Sequence, residues 1–303
     1  MNYPTLIGNA DARLVDLWLH GRPETTQSVY RASAGRFLVA TGKPLATVTL
    51  GDLQQFADSL VGLAPATRCK HLSAVKSLLA FGHRLGLLTV NAGAALRLPA
   101  NKETLGERIL PEADVQRMLA LEPDRRNRTM LRLMYAAGLR VSEVCGLKWR
   151  DVQPRTEVGG SSAPAGGQIV VFGKGSKTRA IILPASIFGE LVTFRGTAGR
   201  DGVPPTTDAP VFRSQHGGSG TSAGGGHLGR AQVLRIVQAA AKRASITANV
   251  SPHWLRHAHA SHALDRGAPI SLVQATLGHA SVATTGRYTH ARPADSSARY
   301  LAV

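Results

Sequence analysis

Apolar side chains recur at helical spacing through most of the first hundred residues. The stretch over residues 10–20 repeats apolar positions every three or four residues until a glycine and a proline end the pattern. Similar stretches begin at residue 24, after Thr49 and at Pro65, where threonine and proline suit the start of a helix. The pattern predicts a unit of four helices that ends near Pro99.

The fourth predicted helix has two different faces. Leu72, Val75 and Leu79 form an apolar stripe, whereas Lys70, Ser73 and Ser77 lie roughly opposite. We therefore expect the apolar stripe to pack into the unit and the polar stripe to face outwards.

The second half of the chain starts with more helices and then changes period. After a polar connection at 100–108, helical patterns run over 110–121 and 126–149, the latter interrupted at Gly138. Alternating, β-branched segments then predict strands at Gln168–Phe172 and Thr178–Leu183, joined by a turn of sequence "GKGSK". Helices resume near residue 230. The chain should be mainly α, with an α+β second domain that holds a small antiparallel sheet.

Composition bounds the class of protein. The chain has 303 residues, of which 43% are hydrophobic and 5% aromatic, which favours two domains built by helix packing. Lys and Arg number 36 against 19 Asp and Glu, a formal charge of +17 that indicates a polyanionic partner such as nucleic acid. The charge alone also fits a cationic protein that uses it only to stay in solution.

The cysteines and the hydropathy of the chain indicate the cellular compartment. Cys69 and Cys145 are the two cysteines, and they indicate neither a disulfide framework nor a thiolate zinc site. No apolar run approaches the roughly 20 residues of a membrane span, and the first residues lack the pattern of a signal peptide. We expect a soluble protein of the cytoplasm.

The stretch "SPHWLRHAHASH" at 251–262 concentrates candidate chemistry. Ser251 and Pro252 suit the start of a helix, so His253 and Arg256 project from one face near a helix N-terminus, where an anion is favoured. The spacings of the four histidines also allow zinc chelation. Because no carboxylate or thiolate lies near and Arg256 would repel a cation, phosphate fits better than metal, and the other histidines fit helix packing.

Four short stretches occur in a fixed order along the later two-thirds of the chain. They are "AAGLRVSEVCGLKW" (136–149), "GKGSK" (173–177), "HWLRH" (253–257) and "LGHASVATTGRYTHA" (277–291). Together they resemble the tyrosine recombinase (phage integrase) family, most of all its Xer-type and integron-type members. Each motif is weak alone, whereas four in order are specific. The N-terminal unit resembles the family's SAM-like core-binding domain only in size and pattern.

The resemblance implies a domain organisation and a set of site residues. The expected domains are 1–99 for core binding, 100–108 as linker and 109–303 for catalysis, closing as a C-shaped clamp on DNA. By motif position, the catalytic residues are Arg140, Lys174, His253, Arg256, His279 and the nucleophile Tyr288, with Glu143 in a supporting role.

The chemistry of a phosphodiester explains these residue types. Arg140 and Arg256 offer planar charged donors to oxygens that gain negative charge during attack. Tyr288 must lose its proton, which His253 is expected to accept, while Lys174 gives a proton to the leaving 5′-oxygen. His279 is expected to donate a hydrogen bond to the phosphate. Attack by Tyr288 would form a 3′-phosphotyrosyl intermediate and a free 5′-hydroxyl. This intermediate retains the energy of the phosphodiester bond, so neither a metal nor another cofactor is expected.

Rival assignments remain at several positions. Lys177 and Arg179 compete with Lys174 for the acid role, and Tyr300 competes weakly with Tyr288. Each residue taken singly also fits an ordinary surface or packing role. For the whole protein, a type IB topoisomerase-like enzyme, a telomere-resolving enzyme or a DNA-binding regulator without cleavage are the alternatives to recombination.

Basic and polar helix faces are candidate DNA contacts. The predicted set is Thr25, Thr26, Tyr30, Arg31, Arg68, Lys70, His71, Ser73 and Ser77 in the first half, with Arg230, Arg235, Lys242 and Arg243 in the second. Ordinary solvated helix faces fit the same residues equally well. The resemblance further implies a tetramer on two DNA sites, to which Tyr300, Leu301 and Val303 would contribute apolar anchors. The Gly-rich stretches 158–167 and 214–229 predict long loops, and accessory proteins are further candidate partners.

Overall fold

The chain forms two compact units, Met1–Glu103 and Thr104–Val303. The structure is a computed structural model, and it describes residues 9–99, 105–155, 166–172, 178–197, 204–214 and 226–291. The division between the units falls inside the predicted linker. The second part of that linker, Gly106–Arg108, forms a short 3₁₀ turn, and Leu105 packs beside the buried Ile109 in the C-terminal unit.

The N-terminal unit is a set of four helices around one apolar core. The helices are α1 (Asn9–Leu19), α2 (Glu24–Thr41), α3 (Leu50–Ser59) and α4 (Pro65–Arg84). The predicted apolar stripe of α4 is buried, with Leu72 and Val75 both at 0% exposure. Thr49 caps α3, since its hydroxyl accepts from the Asp52 amide while the Asp52 carboxylate accepts from the Thr49 amide.

The C-terminal unit packs helices against a small sheet. Its elements are α5 (Glu112–Ala120), α6 (Arg125–Ala137), α7 (Val141–Gly146), β1 (Val152–Pro154), β2 (Gly167–Phe172), β3 (Thr178–Leu183), α8 (Ala185–Thr197), α9 (Arg230–Arg243), α10 (Pro252–Asp265), α11 (Ile270–Leu277) and α12 (Val282–Ala291). The three strands are antiparallel in the order β1-β2-β3. The core joins Met130 and Met134 of α6 to Ile169 and Ile181 of the sheet.

The predicted mainly helical fold with a small antiparallel sheet is confirmed, and two elements differ from the prediction. β1 is a third strand, which pairs Val152 with Ile169. α8 is a helix that the hydrophobic pattern did not predict, and it buries Ile187, Leu191 and Phe194. In the described part of the chain, no helix is long and apolar enough to span a membrane.

Candidate active site

Two helices of the C-terminal unit end beside each other. α6 ends at Gly138 and α11 at Gly278, both in the left-handed region with φ of 59° and 64°. A Cβ on Gly138 would lie 2.6 Å from Leu277 Cδ2, and one on Gly278 would lie 3.1 Å from Arg179 Nη1. Glycine suits both the conformation and the limited space. The arrangement brings the carbonyl ends of two helices to one place.

Arg256 lies between these two helix ends. It projects from near the N-terminus of α10, which begins at Pro252 as the sequence predicts, and it is 3% exposed. Its Nη1 donates to the Gly138 carbonyl and its Nη2 to the Leu277 carbonyl, both at 2.6 Å. Burial, followed by the charge of Arg140, lowers the pKa of Arg256 to about 10, so the guanidinium stays charged at neutral pH.

Glu143 bridges two further arginines. The Glu143 side chain is 2% exposed. Arg140 Nη1 donates to Glu143 Oε1 at 2.9 Å, and the Arg140 amide donates to Oε2 at 2.8 Å. Arg179, on β3, makes a two-pronged contact with the same carboxylate, Nη1 to Oε1 at 2.8 Å and Nη2 to Oε2 at 2.9 Å. Burial raises the pKa of Glu143, but the hydrogen bonds from both arginines outweigh it and leave the pKa below its usual range.

Three successive carbonyls at the end of α11 each accept from a different arginine. Thr276 O accepts from Arg179 Nε at 2.7 Å, Leu277 O from Arg256 and Gly278 O from Arg140 Nη2 at 3.3 Å. The negative end of a helix dipole favours cations at this position. His279 follows this turn directly, so the turn (Thr276–Gly278) connects the arginines to the predicted second histidine.

Tyr288 lies on α12 within a small apolar cluster. It packs with Ile109, Val273 and Leu277 and is 6% exposed. Its hydroxyl lies 2.8 Å from His257 Nδ1. Burial, followed by the charge of nearby basic groups, lowers the pKa of His257 to about 4, so this imidazole is neutral at pH 7 and able to accept the hydrogen bond.

Two more imidazoles flank this pair. The His279 ring is nearly parallel to the Tyr288 ring, with centroids 6.4 Å apart, and its Nδ1 lies 2.9 Å from Thr285 Oγ1. The His253 ring stacks on His257 at 6.2 Å. The four rings therefore follow one another in the order His253, His257, Tyr288 and His279.

Burial and the charges of nearby arginines shift the pKa values of Tyr288 and of the imidazoles beside it. Burial raises the pKa of Tyr288, and the positive charges of Arg256, Arg287 and Arg140 partly offset that rise. Burial, with Arg256 and Arg140, lowers the pKa of His279 to about 4, and the same causes lower the pKa of His253. The site thus holds a neutral phenol between neutral imidazoles, beside permanent positive charges.

The structure brings together five of the six predicted catalytic residues, and Glu143 with them. Lys174 and its rival Lys177 lie outside the described residues, as do the "GKGSK" turn, the terminal Tyr300, Leu301 and Val303, and most of both Gly-rich loops. Arg179, the other rival for the acid role, is fixed by three hydrogen bonds to Glu143 and Thr276. The geometry also gives Tyr288 a different neighbour from the expected one, because His257 and not His253 contacts its hydroxyl.

The remaining histidines of α10 serve in packing. His259 Nδ1 lies 2.8 Å from the Tyr135 carbonyl. His262 Nε2 lies 3.0 Å from the Leu110 carbonyl and its Nδ1 lies 2.9 Å from the Tyr135 hydroxyl. Both residues thus join α10 to α6, and His262 also joins it to the start of the C-terminal unit. Within the described ranges, no group of three or more His, Cys, Asp or Glu side chains could hold a metal ion.

The predicted DNA contacts of the N-terminal unit divide into two groups. Lys70 and Thr25 are exposed. Ser77 does not face outwards as predicted, because it accepts a hydrogen bond from Trp18 Nε1 at 3.2 Å, and His71 Nδ1 lies 3.0 Å from the buried Ser33 hydroxyl. The others are partly buried, namely Thr26, Tyr30, Arg31, Arg68 and Ser73.

Two of these partly buried residues have partners within the unit. The Tyr30 ring stacks on Trp18 with centroids 4.9 Å apart, and Arg31 pairs with Asp16. In the C-terminal unit, Arg230, Arg235 and Lys242 are exposed on α9, and Arg243 pairs with Glu122. Contact of all these residues with DNA stays a prediction.

Sequence reasoning missed two residues of this site. His257 was assigned to packing, although its place directly after the paired His253 and Arg256 put it on the same helix turn. Arg179 was considered only as a proton donor. Its contacts with Glu143 and Thr276 join segments 36 and 97 residues apart, and no local pattern reports such contacts.

A helical unit with a three-stranded sheet and a buried tyrosine among arginines and imidazoles defines the class to which the four motifs pointed. The profile of the phage integrase family matches residues 108–295, which is more than half of the chain. The chain therefore belongs to the phage integrase family, the tyrosine recombinases.

Curated relatives agree over most of the length. Tyrosine recombinase XerC of Xylella fastidiosa (strain 9a5c) is 32% identical over 296 residues, covering 92% of each chain. Tyrosine recombinase XerD of Brucella suis biovar 1 (strain 1330) is 32% identical over 289 residues, covering 89% of this chain and 88% of the relative. The predicted resemblance to Xer-type members is thereby confirmed.

Solved structures share the fold. The XerH site-specific recombinase bound to difH substrate, in a pre-cleavage complex, matches with a TM-score of 0.67 and 22% identity over 92% of this chain and 81% of that one. A lambda integrase dimer bound to a COC′ core site matches with a TM-score of 0.72 and 18% identity over 95% and 78%. At these identities the likeness extends to the fold.

Proposed function

We propose that this protein is a site-specific DNA recombinase that cleaves and rejoins DNA strands through a 3′-phosphotyrosyl bond. One observation carries the proposal: the buried Tyr288 hydroxyl lies at hydrogen-bond distance from His257 Nδ1, beside two arginines. The positive charges of Arg256 and Arg140 partly offset the rise in the Tyr288 pKa that burial causes. The similarity to XerC and XerD, both tyrosine recombinases by name, supports it. The formal charge of +17 fits a duplex as partner.

The proposed step exchanges one phosphodiester for another. The Tyr288 oxygen attacks phosphorus, the bond from phosphorus to the 5′-oxygen breaks, and the products are a 3′-phosphotyrosine and a free 5′-hydroxyl. Arg140 and Arg256 donate to the non-bridging oxygens as these gain charge. A 5′-hydroxyl from a partner strand then attacks the phosphotyrosine and restores the tyrosine, so each bond broken is matched by one formed.

Two protons move in this step. The phenol proton goes to the imidazole pair, His257 in contact with the hydroxyl and His253 stacked behind it. Burial, followed by positive neighbours, lowers the pKa of both imidazoles. A bound phosphodiester offsets the part that comes from the neighbouring charges, which raises the pKa of the imidazoles and makes them better proton acceptors. We assign the second proton, which the 5′-oxygen takes up, to Lys174 on the basis of its motif position alone.

The assembly belongs to the same proposal. We propose a tetramer that holds two DNA sites, in the cytoplasm, with the exposed residues Lys70, Arg230, Arg235 and Lys242 among the DNA contacts. Accessory proteins would act by selecting which pairs of sites are joined. Binding that relies on such phosphate contacts weakens steeply as salt concentration rises.

A covalent trap tests the chemistry. A duplex selected by binding from a random pool is nicked a few nucleotides 3′ of the cleaved phosphate, so that the short fragment with the free 5′-hydroxyl diffuses away after attack. The native protein should accumulate a denaturant-resistant protein–DNA adduct, and Tyr288→Phe should form none while still binding the duplex. Tyr135→Phe is the matched control, because its hydroxyl bonds His262 outside the Tyr288 row, and it should form the adduct normally.

The alternatives predict other outcomes. Binding without any adduct would indicate a regulator that keeps the fold without cleavage. An adduct that survives Tyr288→Phe would mean that another residue, such as Tyr300, is the nucleophile. Exchange of strands between two differently labelled duplexes distinguishes recombination from relaxation or resolution at one site.

A further inference from the structure

Arg179 is held by three hydrogen bonds from its side chain to the protein. Its side chain is 13% exposed, and Nε, Nη1 and Nη2 each donate to a protein acceptor at 2.7–2.9 Å. Two of these bonds form a fork-to-fork pair with the Glu143 carboxylate, the strongest geometry for such a pair. Arg179 is thus directed at the protein and not at an incoming ligand.

The partners of Arg179 are the supports of other site residues. Glu143 accepts from the Arg140 side chain and amide, so it fixes where that guanidinium lies. Thr276 belongs to the turn whose next carbonyls accept from Arg256 and Arg140 and which leads into His279. One side chain therefore joins β3 to both α7 and α11.

The position of Arg179 on the chain adds a third connection. It is the second residue of β3, which pairs with β2 at Val171. β3 begins directly after the 173–177 segment that contains Lys174. Arg179 therefore fixes the first residues of β3 against α7 and α11 as well as against β2.

We propose that Arg179 is a positioning residue for strand cleavage, which orients Arg140 through Glu143 and fixes the turn before His279. This inference rests on the proposed function. It assigns Arg179 no contact with phosphate and no proton transfer. Loss of Arg179 leaves the Glu143 carboxylate buried with one arginine, and a buried carboxylate with fewer donors moves or takes up a proton.

The test compares the rate of adduct formation with DNA affinity. On the nicked duplex, Arg179→Met should slow single-turnover adduct formation roughly 10- to 100-fold, because a misplaced donor loses transition-state contact. The dissociation constant for the duplex should change by less than about twofold, with an unchanged salt dependence, because no phosphate contact is lost. Arg179→Lys, which retains the charge and one hydrogen bond to Glu143, should recover part of the rate.

A double-mutant comparison tests the route through Glu143. If Arg179 acts through that carboxylate, Arg179→Met should slow Glu143→Gln much less than it slows the native protein. The pair also removes both buried charges together, which keeps the test valid should Arg179→Met alone fold poorly. Arg132→Met, which breaks the more exposed Arg132–Glu190 ion pair between α6 and α8, is the control and should leave the rate unchanged.

The outcomes separate this inference from the proposed function. A native protein that forms no adduct removes the proposed function and this proposal with it. A native adduct together with an undiminished rate for Arg179→Met overturns this proposal alone. So does a loss of DNA affinity equal to the loss of rate, since that result would make Arg179 a phosphate contact, or a fully additive effect in the Glu143→Gln background.

Discussion

The imidazoles that flank Tyr288 should make the C-terminal unit sensitive to mild acid. The pKa of His257 and that of His279 are each lowered to about 4 in the folded protein, against an ordinary value near 6.5. Above pH 6.5 both states are neutral and the shift has no effect on stability. Below pH 6.5 these histidines bind protons in the unfolded chain but not in the folded one. The free energy of unfolding therefore decreases as the pH is lowered from 6.5 to about 4.

The size of the effect follows from the two values. At pH 5 the His257 imidazole destabilises the folded state by about 2 kcal/mol relative to pH 7.5. The less buried His279 adds less than this because solvent screens its charge, so the two together contribute roughly 2–4 kcal/mol. That is a large part of the roughly 5–15 kcal/mol that stabilises an ordinary domain. The Glu143 carboxylate stays ionised at both pH values, because its pKa is lowered from an ordinary value that already lies below pH 5.

Urea unfolding at pH 7.5 and pH 5 measures the effect. A Trp18→Phe background leaves Trp149 and Trp254, both in the C-terminal unit, as the fluorescent reporters. In this background, His257→Phe should reduce the loss of stability between the two pH values by about 2 kcal/mol. Tyr288→Phe, which keeps both imidazoles, should show the full loss. The reasoning fails if His257→Phe and its parent lose the same stability on acidification.

Two further substitutions probe the helix ends. Gly138→Ala should destabilise the C-terminal unit by roughly 2–5 kcal/mol, because a positive φ is combined with a Cβ 2.6 Å from Leu277. Gly86→Ala, with a φ of 71° and nothing within 4 Å, isolates the conformational part and should cost only about 1–2 kcal/mol in urea unfolding; equal losses would contradict the packing argument. Arg256→Lys should lower adduct formation roughly 100-fold or more while DNA stays bound, since one ammonium cannot reach both carbonyls and a phosphate; a near-native rate would show that charge alone suffices.

Periodicity predicted the helices because burial selects one face. In α4, Leu72 and Val75 are buried where the stripe predicts. Alternation does not predict β1, because this strand has only three residues and one of them is Pro154. In α8, the buried residues do follow helical spacing, but Gly189 and the exposed Val192 obscure the stripe.

The motifs predicted which residues form the site but not the contacts that these residues make. Arg140, Arg256 and Tyr288 lie in one site, as their motif positions predict. What each one bonds is set by tertiary packing between distant segments. The contact of His257 with Tyr288 spans 31 residues, and that of Arg256 with Gly138 spans 118. Such pairings depend on how α6, α10 and α12 pack, which the sequence pattern of any one helix does not contain.

Holding Arg256 by peptide carbonyls has an electrostatic consequence. A carbonyl orients a guanidinium without cancelling its charge, whereas each carboxylate would neutralise one. Within the group formed by Arg140, Arg179, Arg256 and Glu143, three positive charges meet one negative charge, which leaves this group with a surplus of two positive charges. A phosphodiester carries one negative charge, and a five-coordinate phosphorus carries about two. Two surplus positive charges therefore stabilise the five-coordinate phosphorane more than they stabilise the intact strand. Such preferential stabilisation lowers the activation barrier.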